Sequence, residues 1–279
     1  MEFKSLADLR ATFTTQLKCE VYLKKMRWPY GVSCPFCGCR HPVYMKTYKR
    51  WHCTNCRKQF TLTSKTIFHD TRLPLIKWFE VIWLMCNSPK GVSAKQIQRE
   101  VGVTYKIAWR MQHKVREAMK HNIFAQGLCG IVEVDEAEVR TTNTGGGGGS
   151  NRNIVLGMVE RDGFLRMAMI DNYKSLTIDK VVSKNFQDVH QIYTDGAHWL
   201  RFLNKYGQHD YVTHYIQYCK DDVNVNTIEN VWSLLKRGIM GIYHHISTKH
   251  LQSYLDEFSF RFSYRKIKPA MFDLVLVSC

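Results

Sequence analysis

Two short cysteine pairs constrain this chain more than anything else in it. Cys34-Pro-Phe-Cys37 and Cys53-Thr-Asn-Cys56 stand with fifteen residues, 38–52, between them. Two CxxC turns at that separation are the pattern of a four-thiolate structural zinc site, because each turn is tight enough to aim both sulfurs at one tetrahedral ion. The intervening "VYMKTYKRWHC" predicts a short hairpin, so the expected unit is a zinc ribbon over about residues 30–62. Four thiolates leave no open coordination position, and the Zn²⁺ is therefore expected to be structural. Cys39 is spare and is expected to fill space beside the first turn. The chain has ten cysteines, and "MEFKSLADLR" at its start lacks the long apolar core of a signal peptide. Clustered cysteines without an export signal suggest a reducing compartment and metal binding. The expected location is cytoplasmic and nucleoid-associated in a prokaryote, or nuclear in a eukaryote.

Charge narrows the partner. Forty Lys and Arg stand against 24 Asp and Glu, a formal net charge of +16. Such an excess points to a polyanion. A membrane is not the expected partner, since the most apolar run, "LIKWFEVIWLMC", is short and interrupted by Lys77 and Glu80. Hydrophobic residues make up 45% of the chain, ample for buried cores. Lys46, Lys49, Arg50, Arg57 and Lys58 make the ribbon basic, with Arg50 a candidate phosphate contact.

Residues 71–124 predict a helical domain. "LPLIKWFEVIWLMCNS" has helical apolar spacing. "SAKQIQRE" predicts a helix capped by Ser93 and ending near Glu100. Gly102 marks a turn, and Thr104 caps the next helix. Two helices about a Gly-containing turn form a helix-turn-helix signature. On the second helix Ile107, Ala108, Met111, Val115 and Met119 make the core stripe. Tyr105, Lys106, Trp109, Arg110, His113 and Lys114 lie outside it. Lys106, Arg110 and Lys114 are the candidate DNA contacts, as an exposed polar face near a helix N-terminus can reach base edges.

From residue 125 to 279 the pattern changes. "GIVEVDEAEVR" predicts a strand, "NIVLGMVERDGFLRMAMIDN" a hairpin turning at Asp162-Gly163, and "SLTIDKVVSKNFQDV" a helix capped by Ser175. "HQIYTDGA" predicts a fourth strand, "WLRFLNKYG" a short helix and "YVTHYIQY" a fifth strand. "NTIENVWSLLKRGI" and "STKHLQSYLDEFSFRFSYR" predict amphipathic helices. This order is that of an RNase-H-like domain, giving an α/β multidomain chain. The stretch "TNTGGGGGSNRN", within a flexible loop spanning 141–152, cannot be core.

Acids inside the first of these strands need a reason in so basic a chain. In an RNase-H-like sheet the middle of the first strand lies beside the end of the fourth, which brings Asp135 next to Asp195. Glu229 arrives from the late helix. Three convergent carboxylates repel one another unless a cation joins them, and hard divalent ions take oxygen donors. The expected cofactor is a pair of Mg²⁺ or Mn²⁺ ions. By the two-residue period Glu133 and Asp135 share one face of the strand, Glu136 and Glu138 the other. Asp135 is the first choice as ligand and Glu136 the second. Glu133 and Glu138 are expected to be solvated or to hold loop backbone. Lys236, seven residues after Glu229 on one helix face, is placed to grip a phosphate.

The blocks "CPFC…CTNC…QFTLTSKTIF", "GVSAKQIQREVGVTYKIAWRM", "VEVDEAEV" and "NTIENVWSLLKRGIMGIYHHISTKHLQSYLDEFSFR" together resemble the ISXO-like insertion-sequence transposases, relatives of the Merlin transposons. The resemblance spans nearly the whole chain. It implies a DDE catalytic domain whose acids fall on Asp135, Asp195 and Glu229, with Lys236 as basic helix residue. Asn226 is the alternative third ligand, since some members use Asn. It further implies binding to terminal inverted repeats, DNA cleavage and strand transfer on double-stranded DNA, by a homodimer or higher oligomer. Related sequences carry a basic loop after the first strand; here it is polyglycine. Two other readings stand beside this one: a non-catalytic or domesticated DNA-binding regulator, and an RNase-H-like nuclease that cuts without joining.

Overall fold

The structure is a computed structural model that describes residues 3–123, 127–142, 150–212 and 223–278. In chain order its elements are helices α1 (Leu6–Thr12) and α2 (Gln16–Arg27), strands β1 (Val43–Met45), β2 (Arg50–His52) and β3 (Gln59–Phe60), and helices α3 (Leu75–Asn87), α4 (Ala94–Val101) and α5 (Tyr105–Ile123). There follow β4 (Leu128–Thr142), β5 (Ser150–Glu160), β6 (Leu165–Ile170), α6 (Ser175–Asn185), β7 (Phe186–Thr194), a 3-10 helix (His198–Lys205), β8 (Gln208–Tyr211), α7 (Asn226–Gly238), α8 (Thr248–Ser263) and α9 (Lys268–Val277). The chain divides into two compact units. The first comprises Met1–Ser88, Ala94–Ala118 and Ile267–Cys279, and the second Pro89–Ser93 and Met119–Lys266.

In the first unit, α1 and α2 start where short hydroxyl side chains take up helix N–H groups. Ser5 Oγ accepts from the Asp8 N–H at 3.1 Å and Thr15 Oγ1 from the Lys18 N–H at 3.3 Å. Neither helix is evident from apolar spacing, since α2 buries only Cys19 and Leu23. The ribbon is a three-stranded antiparallel sheet in the order β1-β2-β3, and β1 and β2 form the expected hairpin. Its small core is Trp28, Cys34, Cys53 and Phe60, with Cys39 packed against it as filler. Between α4 and α5 the chain turns at Gly102, whose φ of +66° is costly for a residue with a side chain. Thr104 Oγ1 then accepts the Ile107 N–H at 3.4 Å. Ala108, Met111, Val115 and Met119 are buried as the spacing predicts; Ile107 is only half-buried, while Gln112, Arg116 and Ala118 join the buried face. The C-terminal helix α9, not foreseen from the sequence, packs against α2 and α3.

The second unit holds a five-stranded sheet in the order β6-β5-β4-β7-β8. β4, β5 and β6 pair antiparallel, whereas β7 and β8 run parallel to β4. That is the mixed sheet the strand order predicts. Alternation along β4 divides it cleanly. Val132 and Val134 enter one core with Leu156, Met158, Ile178, Val182 and Ile192, while Val139 enters the other with Val159, Ile228, Val231 and Trp232. Asp162, at φ +60°, and Gly163 close the β5–β6 hairpin as expected.

Four expectations need correction. The helix read through Val189 stops at Asn185, and Phe186 opens β7, because the apolar spacing of "NFQDV" suits either structure. Ser175 does not cap α6 but is its first residue, after Lys174 at the cap position; the Asn172 carboxamide braces the approach, accepting from the Lys174 N–H at 3.0 Å and the Thr177 hydroxyl at 2.9 Å. The fifth strand is Gln208–Tyr211, a polar segment before the expected one, and most of "YVTHYIQY" (213–218) lies outside the described residues. The loop expected over 141–152 is narrower, because Thr141 and Thr142 of β4 pair with Asn151 and Ser150 of β5; residues 143–149, which hold the polyglycine, lie outside the described residues too.

Candidate metal centres and their surroundings

The cysteine cluster is closed. Cys34 and Cys56 sulfurs lie 3.6 Å apart, Cys37 and Cys53 sulfurs 3.5 Å, and all four fall within 4.8 Å of one another. Both turns are built alike. The Cys34 N–H donates to the Cys39 carbonyl and the Cys53 N–H to the Lys58 carbonyl. The residue after each second cysteine, Gly38 or Arg57, takes positive φ. A backbone hydrogen bond from Cys39, helped by the Asn55 amide, lowers Cys37 to about 6. Cys56 behaves oppositely. The Lys58 backbone lowers it, but burial and the three neighbouring sulfurs outweigh this and raise it to about 12. Four thiols crowded this way cannot all ionise without a cation, which is the condition a structural Zn²⁺ satisfies.

The acids of β4 have three different environments. Asp135 faces α7, where its Oδ2 accepts the Trp232 indole N–H at 2.8 Å. Burial raises it from 3.8 to about 6; the indole opposes the rise, and the charges of Asp195 and Glu229 add to it. Glu136 points to the other side of the sheet, and its Oε1 accepts the Trp199 indole N–H at 2.9 Å. Burial raises Glu136 to about 7, with Asp135 and Asp195 contributing repulsion. Glu138 is exposed beside Arg152, at 3.4 Å.

Glu133 departs from expectation. It is not solvated but wholly buried, 0% exposed. Oε1 meets Arg161 Nε at 3.1 Å, and Oε2 accepts the Ile228 backbone N–H at 2.9 Å. Arg161 also donates to the Asn224 carbonyl at 3.2 Å and lies over the Tyr193 ring at 4.6 Å. The readable signal was an acid at an inward-facing strand position two residues before Asp135.

Asp195 sits just past the end of β7. The β4–β7 register pairs Glu133 with Tyr193, so continuing it two residues sets Asp135 opposite Asp195. Asp195 Oδ1 accepts the Ala197 N–H at 3.1 Å, and Gly196 supplies the sharp turn at φ +85°. Glu229 lies exposed in the first turn of α7, and Lys236 lies exposed in its last turn. Asn226, the alternative ligand, opens the helix and is also exposed. Between Glu229 and Lys236, Trp232 continues the same helix face. Gly157 of β5, opposite Asp135 in the register, makes room for it: a Cβ there would lie 2.6 Å from the Trp232 ring and 2.8 Å from Ile228. Neither Trp232, Trp199, Arg161 nor Gly157 was anticipated. The donor set of Asp135, Asp195 and Glu229 suits a hard divalent ion. Among the described residues, however, only the cysteines gather three or more ligand atoms within 4.8 Å, so the carboxylate cage is open.

Residues 127–263 match the family model of the ISXO2-like transposase domain, and residues 14–59 that of the transposase zinc-ribbon domain. The chain carries an ISXO2-like transposase domain behind a transposase zinc ribbon. A relative over most of its length is a protein described as uncharacterised in the transposable element ISH50 of Halobacterium salinarum. It is 25% identical over 274 residues, covering 90% of this chain and 92% of that one. Among solved structures, the Mos1 transposase paired-end complex with a left transposon end aligns over 72% of this chain and 78% of that chain. Its identity is 10% and its TM-score 0.28, too low to carry a structural argument. In this transposase Lys106, Arg110 and Arg50 are exposed, whereas Lys114 is half-buried and paired with Glu117 at 2.9 Å. No helix among the described residues is long and apolar enough to cross a membrane.

Proposed function

We propose that this transposase binds the terminal inverted repeats of its own element, cleaves DNA there and joins the freed ends to target DNA, using Asp135, Asp195 and Glu229 as metal ligands. The observation that carries the reading is the electrostatic convergence at Asp135. A half-buried acid is held above its ordinary range, with one acid beyond the neighbouring strand and another on the helix facing it adding to the rise. Bound Mg²⁺ or Mn²⁺ ions would stabilise the attacking and leaving oxygens of an in-line phosphoryl transfer. The protein's own part is positional. The sheet fixes Asp135 and Asp195, Trp232 orients one oxygen of Asp135, α7 brings Glu229, and Lys236 steadies a phosphate at the rim. The exposed Lys106 and Arg110 of α5 read the element ends, with Arg50 of the ribbon adding phosphate contacts. Paired ends require at least a dimer.

Asp135→Asn tests the reading. It is expected to abolish metal-dependent cleavage of an end-bearing duplex while leaving duplex binding intact. Cleavage within a few-fold of the parent would remove Asp135 from the ligand set and make Glu136 the next residue to test. A strand-transfer assay with pre-cut ends separates this enzyme from a nuclease that cuts without joining.

A further inference from the structure

The helix that carries Glu229 begins at an N-cap residue that cannot cap it. That residue is Val225, which offers no side-chain oxygen; Asn224 Oδ1 takes up the Asn226 N–H at 3.3 Å, and the Ile228 N–H lies beyond that local contact. Such groups are normally satisfied by a Ser, Thr, Asp or Asn at the cap position. For Ile228 the oxygen comes from another element. Glu133 of β4 accepts the N–H of Ile228, the third residue of the helix and the one immediately before Glu229. Its other oxygen holds Arg161, whose guanidinium reaches on to the Asn224 carbonyl on the chain leading into the helix.

We infer that Glu133 is a positioning residue for Glu229, a cap supplied from the strand that also bears Asp135. The inference rests on the three-acid reading above and adds a residue to it. An ordinary buried ion pair would need Arg161 alone. Burying a carboxylate with 0% exposure is costly, and a single partner on one oxygen compensates it poorly. The second oxygen is aimed at a backbone donor of the first helical turn, and so ties the height and rotation of that turn to β4. A carboxylate there also suits the positive end of the helix dipole. Glu133 and Asp135 are two residues apart on the same face, about 7 Å along the strand. One strand thus carries one acid directly and sets where another stands, which matters most in a cage that is still open. Trp232 completes the arrangement one turn further along, with its indole on Asp135.

The experiment uses the full chain with Glu133→Gln, which keeps the shape but offers an N–H₂ where one of two donors expects an oxygen. Hydrogen exchange of the peptide covering the first turn of α7 should quicken by about tenfold relative to that covering α8. The Mn²⁺ concentration giving half-maximal cleavage of an end-bearing duplex should rise by about tenfold or more, as for other supports of metal ligands. Metal-free duplex binding should not change. Arg161→Lys, which keeps the charge but cannot bridge to Asn224, should show both effects more weakly and serves if the first variant fails to fold. Unchanged exchange in α7 overturns the inference. So does a loosened α7 with an unchanged Mn²⁺ requirement, since the contact would then be structural only. Asp135→Asn is run alongside. If it still cleaves, the three-acid reading itself has failed; if it does not, a negative result for Glu133 counts against the cap alone.

Discussion

Replacing Asp135 by Asn should make the metal-free protein more stable, and only above a defined pH. The carboxyl is raised from 3.8 to about 6 in the fold, chiefly by burial. A group whose folded value is raised favours the fold while it is protonated. Its contribution is present in full below its ordinary value of 3.8 and is lost as pH rises through about 6. The rise corresponds to roughly 3 kcal/mol against the charged form, at 1.36 kcal/mol per tenfold change in proton affinity. Asp135 is partly exposed, and solvent screening reduces the working figure to about 1–2 kcal/mol. Asn keeps an oxygen for the Trp232 N–H and carries no charge. It also relieves Glu136, which Asp135 helps to raise to about 7. Urea unfolding in EDTA should therefore find parent and variant nearly equal at pH 4, the variant ahead by about 1–2 kcal/mol at pH 8, and the gap opening between. Adding Mg²⁺ at pH 8 should stabilise the parent by mass action and the variant much less. A variant no more stable than the parent at pH 8, or a gap equally large at pH 4, would refute the reasoning.

The remaining expectations are simpler. Purified protein should contain one Zn²⁺ per chain, and Cys53→Ser should lose it and unfold the ribbon, checked by elemental analysis and by proteolysis near Trp51, because the unit has little core of its own. Arg110→Ala or Lys106→Ala should cost about 1–3 kcal/mol of binding on element ends if the side chain meets a base edge. If it meets only phosphate, binding falls alike on all sequences with a shallower salt slope, and no change on either duplex removes α5 as the reader. Gly157→Ala should drive Trp232 and Ile228 off β5 and cost about 1–3 kcal/mol of stability by overpacking, with cleavage falling because the indole leaves Asp135; an unchanged unfolding midpoint would sink this.

What the sequence disclosed followed the strength of its local rules. The ribbon was legible because thiolate spacing is dictated by the ion, and α4 and α5 because Gly102 and Thr104 punctuate them. The sheet order was legible from strand and helix succession. β8 was not: Gln208-His209-Asp210-Tyr211 has no apolar alternation, and pairing with β7 is what makes it a strand. Helix α9 escaped because its partners, α2 and α3, lie far off in sequence. At the candidate centre the acids were readable and their supports were not. Alternation put Glu133 and Asp135 on one face, but nothing local says that one meets an indole and the other a helix N-terminus 95 residues away.

The contrast between those two neighbours carries the chemical logic of the centre. Glu133 has its charge satisfied by an arginine and a helix end, so it can be buried completely and hold position. Asp135 has only neutral partners, the Trp232 indole and the Glu136 backbone, and two other acids bearing on it, so its charge is not balanced by a cation among them. Low polarity strengthens whatever electrostatic interaction is finally made there, which is why the acid is sunk between β4 and α7 and not set on the surface. The same burial makes the metal-free state strained. In the proposed centre, with Asp135 on β4 and Asp195 just past the end of β7, a small movement of the helix turn bearing Glu229 would relieve that strain without disturbing the sheet.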